Sequence, residues 1–172
     1  VLAEGQINVF NAETMKQIKQ QSGFYNSIGL SFSRHTGNVD LLTTRMRIRA
    51  DYLTTEYHTF LIGNLQYRKK DANTFDSRGT IHIRGIRKFN SLLMIEGFLQ
   101  KQYSESILLK DRNLAGGGFR FSPLRSNEKW QIDLYVGIGA MWENELIDNK
   151  KLGEIETSIL RSTNYATLIW QI

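Results

Sequence analysis

From Phe24 onward apolar and polar residues alternate with a period of two, and helical periodicity is nearly absent. The clearest stretch runs from Trp130 to Trp142. Trp130, Ile132, Leu134, Val136, Ile138, Ala140 and Trp142 fall on one side, with Gln131, Asp133, Tyr135, Gly137, Gly139 and Met141 between them. A strand of a soluble sandwich usually has about 5–6 residues, and this alternation lasts twice as long. At roughly 3.3 Å per residue and a tilt of about 40°, such a run climbs about 30 Å. That height matches an outer-membrane apolar band with an aromatic residue at each rim.

Other segments repeat the pattern. Phe24, Ile28, Leu30 and Phe32 alternate with Ser27, Gly29, Ser31 and Ser33. Leu42 to Tyr52 carries Arg45, Arg47, Arg49 and Asp51 on its polar side. Tyr57 to Tyr67 sets Leu61 and Leu65 against His58, Phe60, Ile62, Asn64, Gln66 and Arg68. Ser77 to Lys88 opposes Ile81 and Ile83 to Arg78, Thr80, His82 and Arg84, and Leu93 to Gln102 opposes Ile95 and Leu99 to Met94, Glu96, Phe98 and Gln100. Gly116-Gly117-Gly118 blurs the faces of Arg112–Phe121. In Thr157–Ile172, an inward Arg161 sends Leu160, Ala166, Leu168 and Trp170 outward, with Asn164 among them.

The alternation predicts an all-β, antiparallel, up-and-down transmembrane β-barrel of at least eight strands over residues 23–172. Residues 1–22 form a separate periplasmic lead-in, helical or irregular, with Asn11 as a possible cap. Outer loops are expected near Thr36–Asn38, Lys69–Phe75, Ser104–Asp111 and Asn144–Glu154. Inner turns are expected at Thr54–Thr55, Phe89–Ser91 and Pro123–Glu128. Phe24, Tyr52, Tyr57, Trp130 and Trp170 would ring the inner membrane interface, and Phe32, Tyr67 and Trp142 the outer one. The competing fold is a soluble antiparallel barrel. It fits worse, because the face that carries the rim aromatics is the less polar one.

Bulk properties narrow the classes. No run of about 18 apolar residues exists for a spanning helix, and a mean hydropathy of −0.36 leaves room for strands that show lipid only every second residue. Without an initiator Met or a leader pattern, the chain reads as processed or trimmed. Cysteine is absent, which removes disulfides and thiolate metal sites. The net charge of +5 is spread along the chain. With Arg45, Arg47 and Arg49 pointing inward, nucleic-acid binding is not expected.

One stretch is more specific. Gly37-Asn38 precedes a polar-alternating strand, followed by Phe98-Leu99-Gln100 and the run from Leu108 to Arg120 that contains Arg112-Asn113-Leu114 and the three glycines. These motifs resemble the salt-induced outer-membrane protein family, over roughly Ser22 to Trp142. The resemblance implies an outer-membrane barrel of a Gram-negative-type bacterium, in contact with outer-membrane lipid and lipopolysaccharide, and with membrane-protein partners possible. It also implies further strands after the region of Trp170.

The expected interior holds Arg45, Arg47, Arg49, Asp51, His58, Arg78, His82, Arg84, Glu96, Arg112, Arg120, Asp133 and Glu143. Interlocked ion pairs are the expected arrangement, because buried charges persist when paired. A three-residue turn at Phe89–Ser91 would set Arg84 opposite Glu96. A two-residue turn at Thr54–Thr55 would set Asp51 opposite His58. Three functions stay open: a structural or complex-forming barrel, a small anion-preferring pore, and a lipid A-modifying enzyme. For the last, Ser33, His35 and Glu143 are the only triad-like set, and no catalytic residue is assigned. No cofactor or metal site is expected, since the His and acidic spacings suit no metal and the glycine run lacks a phosphate-binding lysine.

Overall fold

Residues 22–37, 40–70, 73–124, 132–149 and 153–170 are described in the computed structural model, residues 73–75 by their backbone alone. The expected lead-in helix, Trp130 and most of the Pro123–Glu128 turn lie outside them. The strands are β1 (Gly23–His35), β2 (Leu41–Leu53), β3 (Tyr57–Lys70), β4 (Asn73–Lys88), β5 (Leu93–Ser104), β6 (Leu109–Leu124), β7 (Ile132–Asn149), β8 (Gly153–Ser162) and β9 (Tyr165–Trp170). They form one antiparallel sheet in sequence order, with β8 and β9 both on β7. A 3-10 turn, Glu105–Ile107, joins β5 to β6. No helix among the described residues is long and apolar enough to cross a membrane.

β8 and β9 continue one register on β7: Ser162 faces Ala140 and Tyr165 faces Gly137. The Thr163 amide donates to the Gly139 carbonyl at 2.8 Å, carrying the ladder across the break. The last position in the sheet is thus one interrupted strand. Among the described residues no ladder joins it to β1, so the sheet is open where the alternation predicts a closed wall.

The sheet nevertheless coils strongly. Phe60 of β3, Ile86 of β4 and Met94 of β5 pack in one buried cluster with Tyr135 of β7 and Ile169 of β9. Glycines permit the curvature at one place. A Cβ on Gly118 would collide with the Ile138 carbonyl, and one on Gly139 would come within 2.6 Å of the Gly117 carbonyl oxygen. Backbone atoms cannot swing aside, so the β6–β7 crossing needs bare glycine there.

Two of the three expected inner turns, Thr54–Thr55 and Phe89–Ser91, sit one residue further along. Phe89 faces Leu93 around Asn90-Ser91-Leu92, and the Asn90 side-chain oxygen accepts from the Leu92 and Leu93 amides at 2.8 Å each. Thr54 faces Tyr57 around Thr55-Glu56, and the Thr54 hydroxyl oxygen accepts from the Tyr57 amide at 2.9 Å. Each side chain completes its turn by bonding local backbone, which places the turn. Hence Arg84 faces Phe98 and Asp51 faces Phe60, not Glu96 and His58. The expected loops at Lys69–Phe75 and Asn144–Glu154 are largely strand, since β3 and β4 run to Lys70 and Asn73 and β7 and β8 to Asn149 and Gly153. Pro123 falls where the β6–β7 register shifts, a site that needs no amide donor.

Candidate functional site

The two faces of the sheet are inverted relative to a soluble protein. Asp51, His58, Asp76, His82, Arg84, Glu96, Gln100, Arg120 and Glu143 are buried, whereas Ile28, Leu30, Phe32, Leu65, Leu99, Ile138, Leu160 and Trp170 are exposed. Strand parity explains both sets: odd residues of β2 and even residues of β3 to β5 share the inner face.

On that face most charges are joined. Arg49 donates to Asp51 through Nε and Nη2 at 2.6 and 2.8 Å, and His58 Nε2 lies 3.0 Å from the same carboxylate. Arg84 and Glu96 meet at 3.7 Å although they are not directly opposite, because diagonal neighbours on a twisted sheet are within reach of long side chains. The Tyr165 hydroxyl donates to Glu96 at 2.7 Å from β9. Glu143, 1 % exposed, accepts from Arg112 Nε at 2.8 Å and is ion-paired with Arg112 Nη2 at 2.6 Å and with Arg161 at 2.8 Å. Arg120, fully buried, lies over the Tyr135 ring at 4.4 Å. His82 bonds Gln100 at 3.0 Å and stacks between Phe60 and Phe98, over which Arg49 and Arg84 are placed. Asp133 is half-buried near the short-turn end of β7.

A different arrangement holds near the loop end of β2 to β4. Arg45 Nε and Arg78 Nη2 both donate to one neutral acceptor, the Gln66 side-chain oxygen, at 3.0 and 3.1 Å. Arg47 is exposed beside them. Gln66, Asp76, Gln100, Arg161 and Tyr165 complete the inner face without standing out in the sequence. Parity alone places Gln66, Gln100 and Arg161 there.

Phe24, Tyr52, Tyr57 and Trp170 are exposed toward the short-turn end of the sheet, and Phe32, Tyr67 and Trp142 toward the other. Beyond the second rim, Lys110 reaches Glu154 and Asp148, and Lys101 reaches Asp111 at 3.0 Å. The bond to Glu154 is the main reason that Lys110 is held above its usual range. Burial pushes the Asp111 carboxyl up, but bonds from Lys101 and Asn113 outweigh it and hold the group below the usual carboxylate range.

The triad-like set does not assemble. Ser33 Oγ and His35 Nε2 are 3.2 Å apart in the open, but Glu143 is engaged by Arg112 and Arg161 and does not orient the imidazole. Among the described residues no group of three or more His, Asp or Glu is arranged to hold a metal ion.

No curated protein matches the chain. The model of the family described as "Protein of unknown function, DUF481" matches residues 28–172, and the chain belongs to that family.

Proposed function

We propose that this sheet is the wall of an outer-membrane β-barrel whose inner face is packed and ion-paired, and that it serves as a structural or complex-forming barrel. The observation that carries the reading is how the exposed aromatic rims run across the register. Partner-to-partner pairing from Phe24 passes Tyr52, Thr59, Gly85, Gly97, Gly117 and Ala140 to Ser162. The rim aromatic on that last strand is Trp170, eight residues further toward the same end. At about 3.3 Å per residue and about 4.8 Å between strands, this displacement over seven strand steps is a tilt of about 40°. The other rim agrees: pairing from Trp142 returns to Asn26 on β1, six residues below Phe32. Over six strand steps this is about 35°. Both values fall in the range of about 35–45° for strands of membrane barrels.

Charge placement supports the same reading. The outward Arg34, Lys69, Arg87, Lys101, Asp111, Asp148, Glu154 and Glu156 all sit at or beyond the two rims. An exposed apolar band of this extent marks a surface that meets a membrane or a partner. In hydrocarbon the open edges of β1 and β8–β9 need partners, since each unpaired backbone group costs several kcal/mol there. The proposed wall therefore closes with at least these eight strand positions. Resemblance to the salt-induced outer-membrane proteins supports the same location.

The interior favours a wall over a channel. Phe60, Met94, Tyr135 and Ile169 meet across it, and about eight strands leave room only for side chains. Planar-bilayer recording of the purified chain tests this function. Absence of stable steps, with a co-purifying membrane partner, is the expected result. Large anion-selective steps would overturn it in favour of a small anion-preferring pore, the reading that Arg45, Arg47 and Arg78 support.

A further inference from the structure

We propose that Arg45, Arg47, Arg78 and Gln66 form a binding site for a dissolved oxyanion, a phosphate- or carboxylate-bearing solute, on the inner face of the sheet. The inference goes beyond the barrel reading; the anion site does not require it, and only the choice of a solute over a lipid headgroup rests on it. Register brings the groups together: Arg45 of β2 faces Gln66 of β3, which faces Arg78 of β4. They line a cavity of about 280 Å³ with Thr80 and Gln102, and no carboxylate lines it.

The contrast with the other inner-face arginines carries the argument. Arg49, Arg84, Arg112 and Arg161 each have a carboxylate partner, and Arg120 is packed over the Tyr135 and Tyr165 rings. Arg45 and Arg78 instead converge on one amide oxygen, which offers no charge to offset their mutual repulsion. Arg47 has no hydrogen bond or ion pair among the described residues, and it lines the same cavity. Asp76 is engaged at the margin, by Arg68 at 3.7 Å and by the Gln66 amide at 3.4 Å.

Each guanidinium has five N–H donors and spends one on Gln66, so several remain for a ligand. Planar forks of this kind match the paired oxygens of phosphate and carboxylate, and an anion between them would relieve the repulsion. Gln66 holds the two arginines apart at fixed positions, so little side-chain freedom is left to lose on binding. Arg45, Arg47, Arg78 and Gln66 share the inner face, opposite the apolar band, and in the barrel reading that placement selects a solute over a lipid headgroup.

Titration calorimetry of the full chain in uncharged detergent at low salt, with inorganic phosphate as the probe, tests the proposal. Saturable binding is expected, weakened about tenfold or more in Arg45→Gln/Arg78→Gln and unchanged in the outer-face control Lys101→Gln. Circular dichroism reports whether the double variant keeps its sheet. If it does not, Arg47→Gln, at an exposed residue, gives the same reading with a several-fold loss. Equal phosphate affinity in all variants, or no saturable binding to the folded wild type, would overturn the site. So would arginine-dependent binding of lipopolysaccharide micelles without phosphate binding, which would put the anion on the lipid side. None of these outcomes depends on whether the sheet crosses a bilayer.

Discussion

Two regions of one inner face use the same residue types in opposite ways. Across β5 to β9, and at the short-turn end of β2 to β4, arginines meet carboxylates and aromatic rings in a closely packed interior. At the loop end of β2 to β4, Arg45 and Arg78 meet only an amide, beside an open cavity. The difference follows from dielectric. A charge removed from water needs a counter-charge, because leaving it bare costs several kcal/mol, whereas a charge beside water does not. Closed pairing therefore marks the part of the face built for stability, and the open arginines mark the part free to meet a solute.

Substitutions on either side of that divide should differ in size. Glu143→Ala is expected to have the largest effect, a loss of about 3–5 kcal/mol, because it leaves Arg112 facing a buried void. Unfolding by urea in lipid vesicles would measure it, and a loss below about 1 kcal/mol would mean the region is wetter than its burial indicates. Next comes the Arg84–Glu96 pair. Glu96→Ala should destabilise more than Arg84→Met/Glu96→Ala, since the single change strands a buried guanidinium and also removes the Tyr165 bond. Additive behaviour in the double-mutant cycle would show that the pair is not coupled.

A smaller effect is expected outside both regions. Asn90→Ala should cost about 1 kcal/mol, the usual scale for losing a side-chain acceptor that caps local backbone amides. Amide exchange confined to the β4–β5 turn would identify the cause. At the open end, Arg45→Gln should change stability by no more than about 0.5 kcal/mol. A loss comparable to that of Glu143→Ala would erase the distinction between the two regions.

Face assignment was legible from the period-two alternation, because a side chain's face depends only on its parity within a strand. On β7, Tyr135 packs in the buried cluster and Ile138 is exposed on the opposite face, as their positions require. Register was not legible. It depends on which residue opens each turn, and Asn90 and Thr54 decide that through bonds that parity does not carry. Ion pairs such as Asp51–His58 formed despite the shift, because diagonal contacts tolerate it. The upper parts of β7 and β8 read as loop because they are polar on both faces. They are strands linked by side-chain bonds such as Asn144 to Glu156 and Trp142 to Ser158. Tyr165 was equally hidden, since its value lies in reaching Glu96 across two intervening strands.

The inverted faces are tested most directly on β2, where four consecutive residues alternate between the proposed lipid and the open arginine cavity. Single cysteines at Arg45, Met46, Arg47 and Ile48 would be introduced into the otherwise cysteine-free chain and the protein inserted in vesicles. A membrane-impermeant thiol reagent should label positions 45 and 47, while fluorophores at 46 and 48 should be quenched by lipids carrying a quencher in their acyl chains. Equal aqueous labelling at all four positions, with no lipid quenching at 46 or 48, would contradict the account.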